Sequence, residues 1–454
     1  MHHRYVFEHA LVADGWRRQV EISVDDGVIT RIAPDASREG AQFVPGIAVP
    51  GLPNLHCHAF QRGMAGLAER RGPVGDSFWT WRDVMYRFLR RLTPDDVEAI
   101  AAFAYVEMLE RGFTSVGEFH YLHHAADGTP YAELGEMSFR IAAAAAQAGI
   151  GLTLLPVLYG YAGFGGLAPT QAQHRFINDP DRFLRLVERA RVAAAPLPDA
   201  NVGVAPHSLR AVTPDTLRIV RDNAASGQIH IHIAEQAKEV SDCIAWSGQR
   251  PVEWLLDHAP VDERWCLVHA THMTAEETRR VAASGSVAGL CPLTEASLGD
   301  GVFNGADYLA AGGRFGVGSD SNIEVDAPGE LRQLEYSQRI IRRSRNVMTT
   351  QESESTGERI FMETLRGGAQ ALGRPIGKLA VGCRADIVVL DAAQPDFDGD
   401  RPDCWLDAWI FSVGRSAVRM AFTSGEQLVV NGCHVRRAEI AARYIMTMRR
   451  LRGG

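Results

Sequence analysis

The middle of the chain alternates short apolar runs with longer segments of helical periodicity, such as 94–111 and 274–283. The alternation repeats eight times, and the eight candidate strands are residues 46–54, 115–118, 152–157, 202–205, 229–232, 266–269, 287–290 and 315–318. This pattern is typical of parallel strands joined by right-handed helical crossovers. Eight such units predict an α/β fold, a (β/α)8 TIM-type barrel that we expect to span residues 49–379.

The two chain ends lack this alternation. Short strands and turns, with little helix, are predicted at 5–12, 17–23, 28–32, 385–390, 417–423, 427–430 and 433–436. Neither end is long enough to bury a core alone, so residues 1–48 and 380–454 are expected to pair as one small β-sandwich domain built from both chain ends.

Composition narrows the class of protein. Of the 454 residues, 46% are hydrophobic and 22% are charged, which indicates a globular chain and excludes a disordered or coiled-coil one. The net charge of −8 and the lack of a basic block make nucleic acid and anionic membranes unexpected partners. The most apolar stretch, 141–158, is interrupted by Pro156 and two glycines, which favours a helix followed by a buried strand over a membrane span.

The cysteines and the N-terminus bear on the cellular compartment. The seven cysteines are widely spaced and form no CxxC motif, which predicts that they are reduced thiols. The first twelve residues carry charges and lack the apolar core of a secretory signal. We therefore expect a cytoplasmic protein.

Metal-binding residue types recur where the predicted strands end, which is where such barrels carry their chemistry. His56 and His58 close the first strand, and the period of two places both imidazoles on one side. His232 ends the fifth strand and Asp320 follows the eighth. Three imidazoles and a carboxylate can hold a divalent metal that binds and acidifies water. These four residues are the predicted metal ligands, and zinc, iron or manganese could occupy such a site.

Four segments, PGLPNLHCHAFQRG, HIHIAEQAKEV, LVHATHM and GVGSDSN, resemble the amidohydrolase superfamily. The resemblance covers nearly the whole chain, including the late segment GCRADIVVLDA. Members with two metals bridge them with a carboxylated lysine from the fourth strand. Here that strand reads VGVAPHSLR, and the only two lysines, Lys238 and Lys378, lie elsewhere. The resemblance therefore implies one divalent metal per subunit, with Zn²⁺ expected, and a homodimer.

The resemblance also implies catalytic roles. Glu235 follows His232 by three residues, like the His-x-x-Glu pair of the deaminase branch, where the carboxylate moves protons from water to the leaving nitrogen. Asp320 could take the first proton while it remains a metal ligand. His269 would hydrogen-bond the nucleophile or the developing tetrahedral centre.

The loops narrow the expected substrate. FQRGMAG, FWTWRDVMY, EFHYLHH and PHSLRAV resemble the formiminoglutamate deiminases, one branch of the superfamily. This resemblance implies hydrolysis of N-formimino-L-glutamate to N-formyl-L-glutamate and ammonia in histidine degradation. Two substrate carboxylates call for arginine forks or several neutral donors. The predicted substrate-binding residues are Arg82, Arg210, Gln61, Tyr121 and His207.

Two alternatives stay open. A deaminase or chlorohydrolase acting on an aromatic ring would share the metal ligands and the His-x-x-Glu pair, but its substrate would need stacking and base-edge contacts. A barrel that has lost catalysis would bind no metal, so metal analysis separates it from an enzyme. Three further histidines, His120, His123 and His124, are interpreted as packing residues, and Cys291 as a buried thiol.

Overall fold

A computed structural model describes residues 2–71, 75–223, 227–350, 354–397 and 401–453. The strands in these ranges are β1 His2–Val12, β2 Gly15–Asp25, β3 Val28–Ala33, β4 Gln42–Pro50, β5 Leu52–Cys57, β6 Phe113–His120, β7 Gly151–Leu158, β8 Asn201–Val202, β9 Ala205–Pro206, β10 Ile229–Ile233, β11 Trp265–His269, β12 Val287–Leu290, β13 Arg314–Val317, β14 Ile387–Leu390, β15 Val418–Thr423, β16 Glu426–Val430 and β17 Cys433–His434. The helices are α1 Phe78–Leu89, α2 Pro94–Glu110, α3 Glu136–Ala148, α4 Pro180–Ala194, α5 Pro214–Asn223, α6 Ala237–Ser247, α7 Pro251–His258, α8 Ala275–Ser284, α9 Pro292–Leu298, α10 Gly305–Ala310, α11 Ala327–Arg342, α12 Thr356–Leu372, α13 Pro402–Ala408 and α14 Arg437–Arg452.

The central strands form two parallel sheets. One contains β5, β6, β7 and β8, with β9 also paired to β7, and the other contains β10 to β13. Isolated parallel bridges link the two sheets, from Cys57 to Asp320 on one side and from Val204 to Ile229 on the other. The predicted α/β architecture with parallel strands is confirmed, and all eight predicted strand positions are occupied, the fourth by the short pair β8 and β9.

The first predicted strand, 46–54, is wrong as a single element. The chain leaves the terminal sheet after β4 and enters the central sheet at β5, with Gly51 between them. A Cβ atom on Gly51 would lie 2.2 Å from Thr114 Cγ2, and the Gly51 amide donates to the Asp386 carbonyl oxygen at 3.0 Å. The close approach of Thr114 therefore requires glycine where the chain changes sheets.

The two chain ends form one eight-stranded sheet, in the order β17-β16-β15-β14-β4-β1-β2-β3. The predicted β-domain from both ends is confirmed, because β4 pairs antiparallel with β14. The sheet curls strongly. The rings of Tyr5 and Phe422 lie 5.1 Å apart, although their strands are three positions apart and would be roughly 14 Å apart in a flat sheet. The curl encloses a separate apolar core that includes Phe7, Val24 and Ile387.

The expectation of little helix in the last 75 residues is wrong. Helix α14 packs against α2 beside the central strands, with the rings of Phe103 and Tyr444 stacked 4.2 Å apart. An ion pair between Arg443 and Glu98, at 2.6 Å, joins the same two helices. The 437–452 segment is rich in Arg, Ala and Met, which favour helix. Among the described helices, none combines the length and the apolar character needed to cross a membrane.

Candidate active site

The four predicted metal ligands converge at the carboxyl ends of β5, β10 and β13. Their ligand atoms all lie within 4.8 Å of one another, and all four side chains are buried. Asp320 Oδ1 lies 3.3 Å from the Nε2 atoms of both His56 and His58. His232 Nε2 lies 3.0 Å from His56 Nε2. The structure thus brings together residues that the sequence separates by more than 260 positions.

Two of the imidazoles are oriented by backbone carbonyl groups. His58 Nδ1 donates to the Phe119 oxygen at 2.9 Å, and His232 Nδ1 donates to the His207 oxygen at 3.1 Å. Because a carbonyl oxygen only accepts, both Nε2 atoms face the cluster with a lone pair. Burial lowers the pKa of His56 to about 3, and it also lowers the pKa of His58 and of His232. The donor set, three neutral imidazoles and a carboxylate, fits a divalent metal.

The backbone around the cluster is strained. Ala234, His269, Ala270, Asp320 and Asn322 all have positive φ values, between 44° and 68°. A positive φ is uncommon for residues other than glycine, and such residues persist where the surrounding structure enforces them. Their concentration at the ends of β10, β11 and β13 marks this face of the sheets as the functional one.

A buried acid and a buried imidazole lie next to the cluster. Glu235 Oε1 is 3.9 Å from His269 Nε2, and Glu295 Oε1 is 3.2 Å from His269 Nδ1. Burial raises the pKa of the Glu235 carboxyl to about 7, so it can hold or release a proton near neutrality. Burial alone would lower the pKa of His269, but the carboxylates of Glu235 and Glu295 outweigh it and raise that pKa.

One cavity connects these groups with the predicted substrate-binding residues. The predicted residues that line it are His58, Gln61, Arg82, Tyr121, His207, Arg210, His232, Glu235, His269 and Asp320. Every predicted catalytic and substrate-binding residue therefore faces one cavity. His56 does not line it, but its Nε2 atom contacts two residues that do, Asp320 and His232.

Arg82 lies on α1 rather than on the predicted loop. Its guanidinium group is 4.5 Å from the centre of the Trp79 ring and 5.6 Å from that of Tyr86. Its Nε atom is buried without a hydrogen-bond partner, and no carboxylate of the described residues forms an ion pair with it. A cation in this position can bind an anionic ligand in the cavity.

The second arginine is deeper and has acidic neighbours. Arg210 Nη2 lies 3.6 Å from Glu235 Oε2, and Arg210 Nε lies 3.9 Å from Glu239 Oε2. The Glu239 carboxylate also accepts from the backbone amides of Ala234 and Glu235. Arg210 is thus held beside the acid that we expect to carry protons.

Neutral polar groups complete the wall. Gln61 Nε2 donates to Tyr121 Oη at 2.9 Å, which leaves the buried Gln61 Oε1 without a partner. Burial and the charge of Arg210 keep the pKa of His207 well below its usual value, so this imidazole is neutral.

Sequence reasoning missed the apolar and aromatic part of the cavity. The additional lining residues are Phe78, Trp81, Met85, Tyr86, Tyr159, Phe176 and Leu298. Tyr159 directly follows β7, so its position at a strand end could have identified it; Phe176 and Leu298 carry no such signal. Of the three histidines interpreted as packing residues, His123 and His124 each bond a backbone carbonyl outside the cavity.

Comparison with known proteins agrees with this geometry. Residues 47–428 match the amidohydrolase family, and residues 5–42 match the N-terminal domain of formimidoylglutamate deiminase HutF. The chain belongs to the amidohydrolase family and is a metal-binding type of hydrolase. It is 49% identical to the formimidoylglutamate deiminase of Pseudomonas aeruginosa, over 97% of this chain and 98% of that protein. Both resemblances predicted from the motifs are confirmed.

Other relatives, at both similar and lower identity, share the fold. An 8-oxoguanine deaminase of P. aeruginosa is 28% identical over 88% of this chain and 84% of that protein. The crystal structure of an amidohydrolase from Brucella melitensis has a TM-score of 0.95 and 52% identity, with 99% of both chains covered. An adenosine deaminase from Xanthomonas campestris with bound zinc has a TM-score of 0.82 at 22% identity, covering 99% of this chain and 98% of that one.

Proposed function

We propose that the protein hydrolyses N-formimino-L-glutamate to N-formyl-L-glutamate and ammonia. One observation carries this proposal: Arg82, a cation without a carboxylate partner among the described residues, faces the same cavity as the His/Asp cluster. The 49% identity to a formimidoylglutamate deiminase supports the same substrate.

The substrate carries a formimino group on its α-nitrogen and two carboxylates, one on the α-carbon and one at the end of the side chain. Arg82 and Arg210 bind the carboxylates, and Gln61, Tyr121 and His207 add neutral hydrogen bonds. Because Arg210 also lies beside Glu235, binding of the glutamate part brings the formimino group towards the proton-carrying acid.

Hydrolysis adds water to the formimino carbon and breaks the bond from that carbon to the terminal nitrogen, which leaves as ammonia. His56, His58, His232 and Asp320 would hold a divalent metal, which we propose to be a single Zn²⁺ per subunit, and that ion would supply the Lewis acidity that lowers the pKa of water. Glu235 accepts a proton from the attacking water and delivers it to the departing nitrogen. His269 hydrogen-bonds the oxygen that becomes the formyl oxygen, and Asp320 is the alternative acceptor for the first proton of the water.

Three features of architecture, location and assembly complete the proposal. The two parallel sheets close into one (β/α)8 barrel, which the bridges on both sides support. Its expected limits are residues 49–379, but Val49 and Pro50 lie in β4 of the terminal sheet, so the barrel begins at Gly51, and the curled sheet from both chain ends acts as a small β-sandwich. The protein acts as a cytoplasmic homodimer; its seven free thiols suit a reducing compartment.

The test measures ammonia release from N-formimino-L-glutamate by purified protein, together with metal content on the same sample. We expect release that stops on chelation and returns with one equivalent of divalent metal. A second required equivalent would contradict the mononuclear site. No release by fully metallated protein would contradict the substrate assignment.

A substrate panel addresses the ring-deaminase alternative. The aromatic side chains of Tyr86, Tyr159 and Phe176 in the cavity could stack on a ring. Guanine, 8-oxoguanine and adenosine derivatives are therefore assayed beside N-formimino-L-glutamate. Turnover of a ring substrate at a higher kcat/KM would replace the proposed function by that alternative.

A further inference from the structure

The imidazole of His269 has one hydrogen-bond partner among the described residues, the Glu295 carboxylate. The two atoms, Nδ1 and Oε1, lie 3.2 Å apart, and both side chains are buried. Glu295 Oε1 also accepts from the Cys291 amide, so it is the acceptor in this contact and Nδ1 carries the hydrogen. The opposite ring nitrogen, Nε2, then faces Glu235 and the cavity.

Glu295 is itself held in place. The same Oε1 atom accepts a second hydrogen bond from the backbone amide of Cys291, at 2.9 Å. Glu295 lies in the short helix α9, and its own amide donates to the Cys291 carbonyl oxygen at 2.8 Å. The carboxylate therefore has a fixed position relative to the end of β12.

The backbone conformation and the neighbouring ring also constrain His269, but neither distinguishes its two ring nitrogen atoms. Its φ of 68° is in the left-handed region, and Ala270 follows with a φ of 48°. The imidazole stacks on the ring of His232, 5.4 Å away with an interplanar angle of 12°. Stacking sets the plane of the ring but does not distinguish its two nitrogen atoms, whereas the bond to Glu295 does.

We propose that Glu295 is a positioning residue for the reaction: its hydrogen bond to Nδ1 fixes the ring orientation in which His269 presents Nε2 to the substrate. This inference rests on the proposed function, since it assumes that His269 contacts the reacting group. Partners that orient a catalytic imidazole typically change activity about 10- to 100-fold when they are removed.

The test compares two variants of one residue. Glu295→Leu removes the acceptor, and we expect kcat to fall by about 10- to 100-fold while KM and metal content stay within about twofold. Glu295→Gln keeps an oxygen that can accept from both Nδ1 and the Cys291 amide, so kcat should stay within about threefold of the wild type. Equal losses in both variants would overturn the proposal.

A double-mutant cycle separates positioning from general structural damage. In a His269→Asn background the ring is gone, so adding Glu295→Leu should change the residual kcat by less than about twofold. If the two single-variant losses of kcat multiplied in the double variant, Glu295 would act through something other than His269. Melting temperatures of all variants control for unfolding.

A crystal structure of Glu295→Leu gives a readout that does not depend on the substrate. The His269 ring should rotate away from its wild-type orientation, and an unchanged ring would overturn the proposal. If the wild-type protein releases no ammonia, the proposed function fails, and the crystal structure still tests the positioning of His269.

Discussion

Asn54 and Ser319 form two hydrogen bonds with each other although 265 residues separate them in the sequence. Asn54 Nδ2 donates to Ser319 Oγ at 2.7 Å, and the Ser319 amide donates to Asn54 Oδ1 at 3.1 Å. Ser319 Oγ in turn donates to Asn322 Oδ1, and Asn322 Nδ2 donates to the His58 and Asp320 carbonyl oxygens. This buried network joins the end of β5, where His56 and His58 lie, to the turn that carries Asp320.

Removing the network should weaken metal binding. Asn54→Ala deletes both bonds to Ser319, and we expect the dissociation constant for zinc, measured by chelator competition, to rise about 10- to 100-fold. Asn201→Ala is the matched control. Asn201 lies at the start of β8, away from the cluster, and its Nδ2 donates to the Leu372 carbonyl oxygen. An equal rise in both variants would show that the loss is general.

Glu235→Gln should abolish most turnover without loss of metal. The amide has nearly the same size but cannot exchange a proton, so kcat should fall by at least about 100-fold. Metal content, measured on the same preparation, should match the wild type. Glu188→Gln, on an exposed helix surface, serves as the control. Activity of Glu235→Gln within about threefold of the wild type would contradict the proton-carrying role.

Arg82→Met should mainly impair substrate binding. The change removes the cation but keeps an unbranched apolar side chain beside Trp79, so we expect KM to rise at least about tenfold with a smaller effect on kcat. Arg87→Met removes an exposed arginine from the same helix and should leave KM unchanged. Steady-state ammonia release measures both constants. An unchanged KM in Arg82→Met would contradict the carboxylate contact.

Glu118 should make stability fall as the pH rises. Burial raises its pKa to about 7 from 4.5, despite hydrogen bonds from the Ala59 amide and Tyr105 Oη that act in the opposite direction. The folded state therefore binds the proton more tightly than the unfolded state. The stability that this proton contributes is lost as the pH rises from about 4.5 to about 7. The shift corresponds to about 3 kcal/mol.

Urea unfolding of metal-saturated protein across this pH range tests the point. The amide of Glu118→Gln cannot titrate. The free energy of unfolding of this variant should therefore rise relative to that of the wild type as the pH increases. Parallel pH profiles for the two proteins would contradict the prediction, and Glu188→Gln should follow the wild type.

Much of the site could be predicted because its determinants are local. The apolar runs define the strands, and the period of two puts His56 and His58 on one side. Since the carboxyl ends of parallel strands meet at one face, polar residues that follow separate strands were expected to converge, and His232 and Asp320 do so. The order of the strands along the chain and the polar residues at their ends could thus be predicted from the sequence alone.

Other features depend on contacts between distant segments. The close approach of Thr114 to Gly51 divides what the sequence presents as one strand, and the stacking of Phe103 on Tyr444 brings the C-terminal helix to the central domain. Phe176 and Leu298 reach the cavity only because of how their connections pack.

The sequence by itself determined the alternation of strands and helices in the middle of the chain, the candidate ligand residues and the family, because periodicity and strand-end motifs are properties of neighbouring residues. Only the tertiary structure decided the aromatic wall, the Asn54–Ser319 link and the partner of His269. A hydrogen bond or a packing contact across the protein depends on the relative positions and orientations of whole elements, and those are set by the packing of the entire core.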